Sequence, residues 1–218
     1  GTVPGGDNTI ALQNVSFTYP GAPNAVFRDF SLTIGKGERV AVTGKSGCGK
    51  TTLLKLITGI VAPTEGTVSF AGVGLSEINL ASMHGRIGYV MQENMLFNDT
   101  IRENLFYGRD GAADEELREA CRKAYILDFI DSLPDGFDTV IGEKGVKLSG
   151  GQRQRLVLAR LFLRDVDVFI FDEATSALDQ YSESVVYEAL RDIPRDKTII
   201  VVSHRESSIR LCDRRIVL

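Results

Sequence analysis

Gly44-Lys45-Ser46-Gly47-Cys48-Gly49-Lys50-Thr51 is the stretch on which the reading of the fold turns. The apolar run Arg39-Val40-Ala41-Val42-Thr43 precedes it and Thr52-Leu53-Leu54-Lys55-Leu56-Ile57 follows, so the order reads strand, glycine-rich loop, helix. That is the context a phosphate-binding loop requires. Gly44, Gly47 and Gly49 let the backbone turn through positive φ and bring consecutive N–H groups close to an anion with no Cβ in the way. A helix starting near Lys50 adds unpaired N–H donors and a partial positive charge of about half a unit. Lys50 would rest on the β- and γ-phosphates, the backbone of Lys45, Ser46, Cys48 and Thr52 would complete the cradle, and the Thr51 hydroxyl would face Mg²⁺.

The rest of the composition sets limits. With 218 residues, 43% of them hydrophobic and 25% charged, the chain can bury one sizeable α/β core. The net charge of −4 offers no basic field to nucleic acid or to an anionic bilayer, so nucleic acid is not expected as a direct partner. No apolar run approaches the roughly 20 residues of a membrane helix. Cys48, Cys121 and Cys212 are scattered and odd in number, which argues against a disulfide framework or a zinc site. Cys48, inside the loop, reads as a small residue tolerated at a variable position, ahead of a reactive thiol.

Along the chain, Gly1–Asn8 is Gly- and Pro-rich and reads as a linker. Ile10–Tyr19 and Phe27–Ile34 alternate apolar and polar side chains, as strands of an antiparallel sheet with one wet face do. Further short strands are expected over Gly66–Ala71 and Arg86–Met91. From about Thr100 to Asp138 the pattern is helical, with Leu117, Ala120, Cys121, Ala124 and Leu127 at three- and four-residue steps. Strand character resumes at Val166–Asp172 and Thr198–Ser203, whose apolar runs lack alternation and suit strands covered on both faces. A last strand is expected to begin at Arg215. The expectation is an α/β fold: a phosphate-loop NTPase core with a mostly parallel sheet, an N-terminal antiparallel β-subdomain, and an inserted α-helical subdomain. In residue terms the domain covers 9–218, with the core at 9–92 and 165–218 and the helical insertion at about 93–164.

Two further stretches carry chemistry. Val168–Phe171 would deliver Asp172 and Glu173 at the C-terminal end of a buried strand, where open α/β sheets place ligands. Asp172 would hold Mg²⁺, directly or through water, and Glu173 would take the proton of an attacking water, a contribution of about 10²–10⁴ in rate. An Asp-Glu pair merely leading into the helix of Ser182–Leu190 is the alternative, and the phosphate loop upstream tells against it. Leu148-Ser149-Gly150-Gly151-Gln152 opens another helix, where Ser149 at the cap and free N–H groups make a second anion receptor.

Taken in order, the loop at 44–51, Leu148–Gln152, the strand ending Asp172-Glu173, Ser176-Ala177-Leu178-Asp179 and Ser203-His204-Arg205 resemble the ATPase domains of ABC transporters over nearly the whole chain. The resemblance implies that Tyr19 stacks on adenine. It implies that Gln92 reaches Mg²⁺ and the attacking water, that His204 contacts the γ-phosphate, and that Asp179 meets an opposing subunit. It also implies a head-to-tail dimer, expected to be of identical chains, in which Ser149, Gly150, Gly151 and Gln152 of one copy complete the ATP site of the other. A transmembrane domain, expected upstream of Gly1, would place the ATPase on the cytoplasmic side of a membrane. Asn98–Leu105 and Thr139–Gly145 are similar to exporter-type domains. Val140 and Lys144 depart from the commoner exporter pattern and, with Glu206–Arg210, lean toward peptide exporters. A soluble ABC ATPase of DNA repair, chromosome structure or translation is the alternative; it would carry a long coiled-coil insertion or a tandem cassette, and neither is visible in the sequence.

Overall fold

The computed structural model describes residues 5–91 and 95–218. Two compact units emerge, one made of Gly1–Gly88, Asp167–Ile170 and Arg195–Leu218, the other of Tyr89–Val166 and Phe171–Pro194. Among the described residues no helix is long and apolar enough to cross a membrane.

The first unit carries two sheets. One is four-stranded and antiparallel, ordered β2-β1-β4-β5, with β1 at Ile10–Phe17, β2 at Phe27–Ile34, β4 at Glu65–Phe70 and β5 at Val73–Gly74. Alternation sets the register of the first half of β1, where Ile10 and Leu12 are buried and pair with Ile34 and Leu32; the register then shifts between Leu12 and Val15, and Val15 and Phe17 carry the buried face onward. The strand stops at Phe17, two residues before Tyr19. Val26 N–H still donates to the Phe17 carbonyl, whereas Thr18 N–H turns to the Thr64 hydroxyl, and Pro20 has no N–H to continue a ladder.

The second sheet is ordered β6-β7-β8-β3-β9. The first unit contributes β3 (Arg39–Thr43), β8 (Thr198–Val202), β9 (Arg214–Val217), Ile87–Gly88 of β6 (Ile87–Met91) and Val168–Ile170 of β7 (Val168–Asp172). β3 runs parallel to both β8 and β9, with Val42 opposite Val202 and Ile216. Every residue of β3 and β8 is buried, which explains why neither alternates. Helix α1 (Lys50–Ile57) lies against β4, and α8 (Glu206–Ile209) against β3. A short helix unread in the sequence, α2 (Leu80–Arg86), is capped by Asn79 and buries only Met83, too little for a periodic pattern; it moves the start of β6 to Ile87. Its Arg86 binds Asp167 at 2.5 Å, and Lys197 approaches the same carboxylate at 3.3 Å.

The second unit is mainly helical: α3 (Ile101–Phe106), α4 (Asp114–Lys123), α5 (Leu127–Ser132), α6 (Gly150–Arg164) and α7 (Gln180–Arg191), with short 3-10 turns at Gly136–Asp138 and Glu143–Gly145. It therefore takes in Phe171–Pro194 beyond the stretch expected to be helical. α6 is its centre, packed by α3, α4 and α7 and burying Leu156, Val157, Leu158, Ala159 and Leu161. The acidic start of α4, Asp114-Glu115-Glu116, is closed by Glu116 accepting from Ala113 N–H at 2.9 Å.

Candidate functional site

In the first unit the loop leaves the end of β3 and re-enters helix at Lys50. Gly47 and Gly49 are left-handed, at φ 80° and 108°. A Cβ on Gly49 would stand 2.8 Å from Val26 and 3.0 Å from Phe27, so both the backbone turn and the packing demand glycine there. Gly49 provides no side-chain cap for α1, whose first internal bond runs from Leu53 N–H to the Gly49 carbonyl. The N–H groups at the start of the helix thus have no carbonyl of their own. The Lys50 ammonium donates to the carbonyls of Gly44 at 2.8 Å and Lys45 at 3.0 Å, and lies 3.8 Å from Cys48 Sγ. This is a cationic loop with open donors.

Tyr19 stands beside that helix. Its hydroxyl is 3.0 Å from Thr52 Oγ1, Phe17 meets its ring edge-on at 4.8 Å, and the Lys55 ammonium lies 5.6 Å from its centroid. Thr52 is buried while Thr51 is exposed, so of the two hydroxyls it is Thr51 that solvent or a ligand reaches. His204 follows β8, whose register with β3 makes it leave the same end of the sheet as Gly44. It is exposed, and Ser203 fixes its turn by accepting from Arg205 N–H and donating to Ser208, both at 3.0 Å.

The second unit holds the carboxylates. Asp172 ends β7, and the Tyr89 hydroxyl of β6 donates to its Oδ2 at 3.0 Å, while among the described residues no donor reaches Oδ1. Burial, then the Asp172 charge, pushes the Tyr89 phenol far above its ordinary range, so it stays protonated. Glu173 adopts a left-handed backbone at φ 50°, a conformation that costs an ordinary residue about 1–2 kcal/mol. Nothing in the sequence signals that strain, and strain of this kind gathers at functional sites.

Ser149 caps α6 reciprocally: its Oγ accepts from Gln152 N–H at 3.1 Å, and its own N–H donates to Gln152 Oε1 at 2.9 Å. Both bonds leave the hydroxyl hydrogen undirected. Sequence reading gave Gly150 and Gly151 only a role toward an anion; packing gives them a second one. A Cβ on Gly151 would lie 2.6 Å from Ser182 Cβ, and one on Gly150 would lie 3.2 Å from Leu178. The opening turn of α6 is therefore pressed onto the segment that starts α7. Asp179 caps α7 by accepting from Ser182 N–H at 2.9 Å and from its hydroxyl at 2.7 Å, and the backbone bond from Ser182 is the chief cause of its lowered pKa. Gln92 lies outside the described residues.

Mg²⁺ is consistent with this donor set. It takes one or two carboxylates together with substrate phosphates and water. Among the described residues Asp172 offers one oxygen that no donor reaches, and no group of three or more His, Cys, Asp or Glu forms a closed cage.

Residues 27–176 match the family model described as ABC transporter. The chain is 46% identical over 209 residues to a Staphylococcus aureus protein named "putative multidrug export ATP-binding/permease protein", covering 96% of this chain and 36% of that protein. It is 42% identical over 216 residues to the uncharacterized ABC transporter ATP-binding protein YwjA of Bacillus subtilis, covering 99% and 37%. The solved structure of a bacterial Atm1-family ABC exporter with ATP bound superposes with a TM-score of 0.90 at 37% identity, over 100% of this chain and 38% of that one. The chain thus spans little more than a third of the length of these relatives.

Proposed function

Because the chain belongs to the ABC transporter family, as an ATP-binding domain, we propose that it hydrolyses ATP with Mg²⁺ and that this drives export by a transmembrane domain to which it is joined. The observation that carries the reading is the start of α1: a left-handed Gly49 without a side-chain cap, open N–H donors, and Lys50 in the first turn. That combination receives polyphosphate.

In this reading Lys50 holds the β- and γ-phosphates, with the backbone of Gly44–Thr52 around them, and Tyr19 covers the adenine ring. Thr51 and Asp172 hold the metal, with Gln92 as a further contact; when bound, Mg²⁺ neutralises phosphate charge. Glu173 accepts the proton of the attacking water, and His204 orients that carboxylate and the γ-phosphate. Ser149, Gly150, Gly151 and Gln152 act on the ATP of a second copy in a head-to-tail dimer, with Asp179 at the junction. The undirected Ser149 hydroxyl hydrogen supports this, since it has no acceptor among the described residues and a phosphate oxygen can be one. The domain then works on the cytoplasmic face of a membrane. Of the relatives named above, one carries a multidrug-export name and one is an Atm1-family exporter, and none is named for peptide cargo, so the lean toward peptide cargo gains no support from them.

Glu173→Gln tests the assignment. ATP binding should persist, turnover should fall by at least about 10²-fold, and an ATP-dependent dimer should accumulate on size exclusion. A variant hydrolysing ATP at the parental rate would remove Glu173 from the role of base.

A further inference from the structure

We propose that Tyr89 is a positioning residue for Asp172: its hydroxyl fixes one carboxylate oxygen and so aims the other at the hydrated Mg²⁺ that accompanies ATP. The inference rests on the reading of Asp172 as a metal-holding group. None of the sequence motifs includes Tyr89, which lies three residues before Gln92 on β6, the strand beside β7.

The geometry is specific. A carboxylate at the end of a strand turns about its terminal torsion, which is broad and two-fold. The 3.0 Å bond from Tyr89 removes that freedom at Asp172, and the Tyr89 ring is itself held half-buried in the sheet. A protonated phenol donates to Oδ2 without adding charge, so the negative charge of Asp172 remains available at Oδ1. Mg²⁺ demands near-ideal octahedral geometry and keeps several of its waters. An acceptor for a metal-bound water must therefore be held in direction as well as in distance, and partners behind a ligating carboxylate commonly supply that hold. Asp172 has one such partner on the described residues, and it is Tyr89. The same bond ties the end of β7 to β6, the strand that leads directly to Gln92.

Tyr89→Phe keeps the ring and removes only the O–H. The test measures ATP binding by calorimetry across a Mg²⁺ titration and again in EDTA, in the chain carrying Glu173→Gln so that no turnover intervenes. The half-saturating Mg²⁺ concentration should rise at least about tenfold, the lower end of the loss expected of one hydrogen bond to a charged group. Affinity in EDTA should stay within about twofold, because the phosphate contacts do not involve Asp172. Asp172→Asn, measured alongside, separates the role of Tyr89 from that of Asp172. If Asp172→Asn moves the Mg²⁺ half-saturation and Tyr89→Phe does not, the role of Tyr89 is overturned alone. If neither variant moves it, the metal-holding reading of Asp172 falls as well. A lowered Tm for Tyr89→Phe with an unchanged Mg²⁺ profile would make Tyr89 a packing residue, and that too overturns the proposal.

Discussion

Ser149 is the residue at which two explanations predict opposite outcomes. Its oxygen accepts from Gln152 N–H and its own N–H is covered by Gln152 Oε1. If capping is its whole task, Ser149→Ala costs about 1 kcal/mol, a Tm loss of about 2–4 °C for a chain of this size. Function would suffer no more than that. Ser149→Asp then discriminates. A carboxylate still accepts from Gln152 N–H, and its charge at the start of α6 contributes about 0.3–1 kcal/mol through the helix dipole, so Tm should hold or rise. The carboxylate has no hydrogen to donate, however, and a phosphate oxygen would meet it as a like charge. At about 4 Å and an effective dielectric constant near 20, that repulsion is ~4 kcal/mol, or roughly 500- to 1,000-fold in affinity. The assay is sedimentation of the Glu173→Gln chain with saturating ATP across a dilution series. Ser149→Ala should weaken the dimer by about 10- to 100-fold, the range for a hydrogen bond to a charged group, and Ser149→Asp should abolish it while melting no earlier than the parent. A Ser149→Asp chain that still dimerises at parental concentrations would reduce Ser149 to a cap and refute the shared-site reasoning.

Two further outcomes follow from other contacts. Tyr19→Ala should weaken ATP binding and narrow the preference for ATP over GTP, whereas Tyr19→Phe, which loses only the Thr52 contact, should keep that preference; equal behaviour of the two in competition binding would return the ring to a structural role. Asp167 is pushed up by burial but held below its ordinary pKa by the hydrogen bonds and charges of Arg86 and Lys197. Its contribution to stability is complete above the unfolded carboxylate range near 4 and disappears as pH falls below that range. The difference in denaturant midpoint between the parent and Asp167→Asn should accordingly be visible at pH 6 and shrink toward pH 2; a difference that does not change with pH would refute the linkage.

Much of the fold was legible because long-range burial leaves a mark on short sequence. β3 and β8 are apolar throughout since both faces are covered, and β1 alternates since one face is wet. The loop at Gly44–Thr51 announced itself because positive φ and tight packing admit so few residues. Other features left no mark. α2 buries one side chain and falls below any periodic signal, although Asn79 as its cap was there to be read. The strand end before Tyr19 depends on Thr64, far along the chain. The bond between Tyr89 and Asp172 joins residues 83 apart, and no local pattern encodes such a pairing. The left-handed Glu173 is equally silent, because glutamate carries no preference for that conformation.

Gly151 and Ser182 interlock so closely that a single added methyl group has nowhere to go. Two segments that the chain separates by some thirty residues are therefore mechanically one piece, and a nudge delivered to either is delivered to both. Enlarging residue 182 would jam this dovetail from behind, which offers a way to disturb the opening turn of α6 without substituting any group that would touch a nucleotide.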